Sequence, residues 1–207
     1  IGCRGLIEIS FKLRGKTGHA GRPELGVNAI TSGINLISKL KRQLAAKYSD
    51  PVLGTSTLNL AYCQGGLDTG SGVLGRQGNN IADLAEFVLD IRPASSELTA
   101  QKVLKIIESY LPGTKLSLED WLVRHNLGSW LTPKPDLADL NLPGSYEPSL
   151  GYIDTQMLWE TFDQVPCATI GAGNLAIAHT PNEYVELSSL EATKNTIVTM
   201  VKGGYND

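Results

Sequence analysis

The chain has 207 residues, 42% of them hydrophobic and 19% charged, with a formal net charge of -3. That is enough apolar material for a buried core in one or two domains. It offers no dense Lys/Arg run, so nucleic acid and anionic membrane surfaces are poor partners on electrostatic grounds, and no apolar run approaches the roughly 18 residues of a bilayer span. Cys3, Cys63 and Cys167 are far apart and odd in number, which argues against a disulfide framework or a Cys-x-x-Cys metal knuckle. Reduced thiols and a cytoplasmic location are expected. The first residues carry no signal-peptide pattern. The chain opens on Ile1-Gly2-Cys3-Arg4-Gly5 without a methionine, so a start further upstream is expected.

In chain order, Leu6–Gly15 comes first, with Ile7, Ile9, Phe11 and Leu13 alternating against Glu8, Ser10, Lys12 and Arg14. Period two predicts a half-buried strand. From Val27 to about Tyr48 the apolar residues recur at helical spacing, through Ile30, Ile34, Ile37 and Leu44, with Lys39, Lys41 and Arg42 opposite. This predicts an amphipathic helix approached by Pro23 and Gly26. Thr57–Cys63 and Ala85–Arg92 alternate again and predict strands. Between them Gly65–Asn80 is rich in Gly, Ser, Asp and Asn, the composition of a long loop or a hairpin with an irregular tip. A second helix is predicted over Leu98–Leu111, with Ser96 as N-cap and Pro112-Gly113 as its stop. Lys115–Asp120 predicts a last short strand.

The order β-α-β-β-α-β within about the first 120 residues is that of a split βαβ unit. It predicts an α+β domain with a four-stranded antiparallel sheet and both helices on one face. RNA-binding domains share this scaffold but stack bases on aromatic residues of the central strands. Here the exposed faces carry Glu8, Ser10, Lys12, Thr57, Asn59, Glu86 and Asp90 instead.

Beyond Trp121 the pattern changes. Trp130–Leu150 holds four prolines and reads as an extended crossing. Asp154 is the expected cap of a helix carrying Met157, Leu158 and Phe162. Val165–Ile170 reads as a short buried strand, followed by the loop Gly171-Ala172-Gly173. A capping box, Ser188 with Glu191, opens a final helix through Leu190, Ile197, Val198 and Val201. About 80 residues of this kind make only part of an α/β layer.

His179 stands just beyond the glycine loop and before a Thr-Pro turn, where a strand end delivers side chains into a crevice. Position alone leaves it open between a loop residue bonded to backbone and a metal ligand. His19 is equally open between a surface residue and a mobile donor at a helix N-terminus. His125 has no supporting context. Neither H-x-D, H-x-x-x-H nor G-x-S-x-G occurs.

Four segments in order carry a resemblance. Gly18-His19-Ala20-Gly21-Arg22-Pro23 with Gly26-Val27-Asn28-Ala29-Ile30 is similar to the lid segment of the zinc-dependent amidohydrolase and exopeptidase family that includes acetylornithine deacetylase, succinyl-diaminopimelate desuccinylase and carboxypeptidase G. Asn79–Arg92, N-N-I-A-D-L-A-E-F-V-L-D-I-R, resembles that family's asparagine-to-arginine stretch. Val165–Gly173 resembles its strand and glycine loop, and Ala178-His179-Thr180-Pro181-Asn182-Glu183-Tyr184-Val185 its last metal-ligand motif.

The resemblance implies a lid and dimerisation domain over residues 1–121 and the C-terminal portion of a catalytic domain over residues 122–207. It implies His179 as a ligand in a site of two zinc or cobalt ions, and His19 as the group that reaches a partner subunit's site and stabilises an oxyanion. Asn79 and Arg92 would hold a substrate carboxylate, with the backbone of Gly171, Ala172 and Gly173 assisting. The implied activity is cleavage of an amide bond in an N-acyl amino acid or small peptide by a homodimer. The family's H-x-D segment, bridging aspartate and Glu-Glu pair precede the lid and have no counterpart here, and Ala82 replaces a usual proline. The chain alone is therefore expected to be inactive and not to fill a two-metal site. The other reading is a noncatalytic dimerisation or small-molecule-binding module.

Overall fold

A computed structural model of the chain describes residues 1–132, 148 and 151–203. Its elements are β1 (Gly2–Cys3), β2 (Leu6–Arg14), α1 (Ala29–Lys47), β3 (Ser49–Asp50), β4 (Gly54–Thr55), β5 (Thr57–Asp68), β6 (Leu74–Gly75), β7 (Leu84–Arg92), α2 (Ala100–Ser109), β8 (Ser117–Leu127), β9 (Trp130–Leu131), α3 (Thr155–Thr161) and α4 (Leu187–Gly203). The main sheet has five strands in the order β6-β5-β7-β2-β8, and every adjacent pair is antiparallel. This is a mixed α/β fold.

The alternation in β2 and β7 decides where the core lies. Ile7, Ile9, Phe11 and Leu13 of β2 and Phe87, Leu89 and Ile91 of β7 share one buried cluster with Leu36, Ile37, Leu40 and Leu44 of α1 and Val103, Leu104 and Ile107 of α2. Full burial of each such side chain stabilises by about 1.5–3 kcal/mol before entropy is counted. On the opposite face Lys12 pairs with Asp120 at 3.7 Å, Arg14 with Glu119 at 2.6 Å and Arg124 with Glu8 at 3.1 Å. Such surface pairs contribute about 0–1 kcal/mol each, so they tune the β2–β8 register more than they hold the fold.

Several boundaries differ from the sequence reading. α1 starts at Ala29, because Asn28 turns its side chain back to accept from the Thr31 N–H at 3.0 Å. α2 is capped by Thr99 rather than Ser96, and Asn126 of β8 accepts the Ala100 N–H at 2.8 Å. The hairpin tip is short, because β5 runs on to Asp68 and pairs with β6. β8 runs to Leu127, so the boundary expected after Trp121 falls inside a strand that is still paired with β2, Leu6 opposite Leu127.

The C-terminal region departs further. Val165–Ile170 takes no regular secondary structure and joins no strand among the described residues, and is half-exposed or exposed. Asp154 precedes α3 without a side-chain capping bond. α4 begins one residue before Ser188, which therefore lies in its first turn and not at the cap. The crossing expected over Trp130–Leu150 lies, beyond Thr132 and apart from Pro148, outside the described residues. Among the described residues no helix is long and apolar enough to cross a membrane.

Candidate functional site

His19 belongs to the loop that leaves β2. Lys16 and Val27 pair across the loop's base, 2.9 Å for Lys16 N–H to Val27 O and 2.8 Å for the reverse. The loop is then strapped to the segment before β7, Ala20 N–H donating to Asn79 O at 2.8 Å and Ile81 N–H to Gly18 O at 2.9 Å. Two predicted site residues 60 positions apart, His19 and Asn79, are thereby brought together, and both are exposed. The Gly21 N–H donates to His19 Nδ1 at 3.0 Å. A ring nitrogen that accepts carries no proton, so the neutral imidazole keeps its hydrogen on Nε2. His19 is thus a preset donor facing solvent.

Arg92 lies at the other end of β7. The predicted pair Asn79 and Arg92 is not brought together within one chain. Leu84–Arg92 spans eight residue steps, about 26 Å at strand rise. The guanidinium makes a fork with Asp90, Nε donating at 2.7 Å and Nη2 at 2.8 Å. Asp90 was not singled out in the sequence, although a carboxylate two positions from an arginine on a strand shares its face. Burial pushes the pKa of the Cys3 thiol of β1 up, against smaller opposing effects from Ile153, Trp130, the N-terminus and, least, Arg92.

The glycine loop borders a cavity of about 730 Å³ at the chain start, lined by Gly2, Ile153, Gly171, Ala172, Gly173 and Glu183. Gly173 N–H donates to Ser189 Oγ of α4 at 3.0 Å, so that group is engaged within the chain. His179 follows Ala178, which also lines the cavity. It is exposed and holds a left-handed backbone, φ 62°, with its N–H donating to the Glu183 carboxylate at 2.8 Å. Glu183 lies within the quoted Ala178–Val185 segment but was given no role there, and Ser189 left no sequence signal beyond ordinary helix-start composition. Among the described residues no three His, Cys, Asp or Glu side chains gather as a metal site. One imidazole beside a carboxylate already bonded to backbone does not make a two-ion centre, so the described residues do not fit the implied zinc pair by themselves.

Residues 1–117, more than half of the chain, match the model of the peptidase dimerisation domain of the M20 peptidases. The chain belongs to that family. The dimerisation domain accounts for β1 through the start of β8, and similarity continues past it. An acetylornithine deacetylase of Proteus mirabilis is 26% identical over 212 residues, 96% of this chain and 51% of that protein. One of Yersinia pestis is 26% identical over 211 residues, with the same shares of each chain. Among solved structures, a tripeptidase of Staphylococcus aureus superposes with a TM-score of 0.70 at 23% identity, covering 98% of this chain and 52% of that one. An M20 family metallo-carboxypeptidase of Sulfolobus solfataricus gives 0.64 at 18%, covering 97% and 58%. The chain spans about half the length of the curated relatives it matches.

Proposed function

We propose that this chain is part of a metal-dependent amide hydrolase that cleaves an N-acyl amino acid or a small peptide as a homodimer. In this reading the split βαβ sheet and its helices, residues 1–127 with β8 included, form the lid. The remainder is the C-terminal portion of the catalytic domain. The observation that carries it is the separation of the two predicted halves of the site. His19 with Asn79 sits at one end of the sheet and Arg92 at the other. In this reading a second copy brings its His19 and Asn79 to the first copy's Arg92, which supports a site shared between subunits.

The roles follow from the chemistry of each group. The planar fork of Arg92 fits a substrate carboxylate, with Asp90 holding its orientation. The Nε2–H of His19, its tautomer set by Gly21, donates to the oxygen that becomes negative when an amide carbonyl is attacked. His179 is this chain's contribution to a zinc or cobalt centre whose other ligands lie beyond the described residues. The second reading, for the 207-residue chain alone, is a noncatalytic dimerisation module, supported by the match of residues 1–117 to the peptidase dimerisation domain.

The test pairs two inactive variants of the full protein. His19→Ala and Arg92→Ala subunits, mixed and allowed to exchange, should regain about a quarter of wild-type amine release from an N-acetyl amino acid, because half the dimers are mixed and each holds one intact site. Mixtures as inactive as their parents refute a shared site.

A further inference from the structure

β8 forms one border of the main sheet. It pairs with β2 along one edge, and among the described residues nothing pairs with the other. Its 11 residues, Ser117–Leu127, therefore turn a row of backbone N–H and C=O groups to solvent. Residues 120–123 run regularly against β2, and the two register shifts leave out Glu119 and Arg124. Those two extra residues turn to the face away from α1 and α2, where Glu119 bonds Arg14 and Arg124 bonds Glu8. Asp120 and Leu122 share that face, since they stand opposite Lys12 and Ser10. Trp121 and Val123, opposite Phe11 and Ile9, take the helix side. Trp121 is 45% exposed and Leu122 55%, large apolar groups on a border of the kind that bulges and charges usually guard.

We infer that the free edge of β8 pairs with the β8 edge of a second copy of this chain, antiparallel and about a two-fold axis at Leu122. The charge pattern carries this. Glu119 and Asp120 precede Leu122, and Arg124 and His125 follow it at the same spacings. In an antiparallel pair centred there, Asp120 of each copy meets Arg124 of the other, Glu119 meets His125, Trp121 meets Val123, and Leu122 meets Leu122. The side chains of Asp120 and Arg124 are 70% and 58% exposed, beside intrachain partners at 3.7 Å (Lys12) and 3.1 Å (Glu8), and so have room for a second partner. Opposite charges and aromatic–β-branched pairs across two strands stabilise, and like charges there repel. A parallel pair of copies sets Asp120 on Asp120 and Arg124 on Arg124. A slip of one residue sets Asp120 opposite Val123, or Trp121 opposite Arg124, residues of different faces. The charges of this border thus repel a parallel copy and favour one antiparallel register. The sheet's other border has no such pattern: β6 holds Leu67 and Asp68 of β5, and residues 61–64 of β5 carry no charge. One strand edge buries less than the roughly 800 Å² per partner of a standard interface, so the contact is weak and concentration-dependent. His19, Asn79 and Arg92 are not on β8, so this contact is separate from the shared site and joins such dimers into larger assemblies.

Sedimentation equilibrium of the full chain over a concentration series tests it. Asp120→Arg and Arg124→Asp each set like charges against one another twice, and each should weaken the association about 30-fold, with the mass of the largest species at least halved. The double variant, Asp120→Arg with Arg124→Asp, rebuilds both pairs in reverse and should regain the parent's mass. All three should melt within a few degrees of the parent, because the surface pairs they lose contribute little to the fold. Cross-linking checks the register. In a Cys63→Ser background, Leu122→Cys should give a covalent dimer under mild oxidation, its two sulfurs facing each other across the axis within disulfide reach. Asp120→Cys should not, because four residue steps, about 13 Å, separate it from its own copy. Single swaps that leave the mass unchanged, a double variant that stays dissociated, or equal cross-linking at positions 120 and 122 would each overturn the proposal.

Discussion

Gly33 lies inside α1, where helix propensity alone says that alanine is better by about 1 kcal/mol. Tertiary packing says the reverse. A Cβ at Gly33 would lie 2.3 Å from Phe87 Cζ and 2.5 Å from its Cε2, against an ordinary carbon contact of about 3.5–4.0 Å. The Phe87 ring must retreat by more than an ångström, and it has nowhere to go: it is fully buried and stacked on Phe11 at 5.4 Å. Overpacking of this kind costs about 1–3 kcal/mol, and a displacement this large belongs at the upper end. The net expectation for Gly33→Ala is a loss of about 2 kcal/mol, or a fall in melting temperature of about 4–8 °C for a chain of this size. Thermal unfolding by circular dichroism reads it directly. The same substitution made in Phe87→Leu, where the shorter side chain vacates the contact, should be neutral or stabilising, giving a coupling of about 2–3 kcal/mol between the two sites. A Gly33→Ala variant that melts at or above the parent temperature would refute the packing argument.

Gly21→Pro removes the N–H that His19 Nδ1 accepts, and the neutral imidazole should change from mostly Nε2–H to a mixture of tautomers in nitrogen-15 spectra; an unchanged tautomer denies Gly21 its role. Glu183→Ala deletes the acceptor that holds His179 N–H, and amide exchange at His179 should accelerate about fivefold, the loss of roughly 1 kcal/mol. Glu183→Gln, which keeps an oxygen there, should exchange nearly as slowly as the parent, and equal rates in all three would dismiss the contact. Asp68 is held below its ordinary 3.8 by the Gly70 N–H first and by Arg14 second. Its folded-state pKa is depressed, so its contribution is present above pH 3.8 and is lost as pH falls through the lower folded value. Asp68→Asn should therefore flatten the part of the acid-unfolding curve below about pH 4, and an acid limb identical to the parent's would exclude this carboxylate.

How far the sequence foretold the fold depends on whether each element is sided. β2 and β7 alternate strictly, because one face meets the helices and the other meets water, and both were legible to within a residue. β8 is exposed on both faces over most of its length, so period two is absent and only its pairing with β2 makes it a strand. β5 was cut short for two reasons. A register shift between Leu60 and Tyr62 reverses the alternation. Beyond it, glycines that read as a loop are in the strand because α1 presses close: a Cβ at Gly65 would meet Ile30 Cγ1 at 2.5 Å. The candidate site was legible residue by residue and illegible as an arrangement. His19 and Asn79 meet through backbone bonds that no side-chain pattern announces, and Arg92 lies a sheet's length away.

The C-terminal region shows the same limit from the other side. Leu190, Ile197, Val198 and Val201 were recognisable as a face that must leave water, and the hydrophobic effect makes that reading sound. Period 3.6 says that a face is to be covered and is silent on what covers it. In the chain itself the hydroxyls of Ser189, Thr193 and Thr196 face inward while the aliphatic groups face out. Val165–Ile170 poses the same question as a strand without a neighbour, apolar enough for a sheet and joined to none among the described residues. Among the described residues, a helix with its apolar stripe outward, an apolar run outside any sheet and an imidazole without gathered co-ligands differ in chemistry: the first lacks buried area, the second lacks ladder partners although its Cys167 N–H donates to Thr132 Oγ1 at 3.0 Å, and the third lacks coordination.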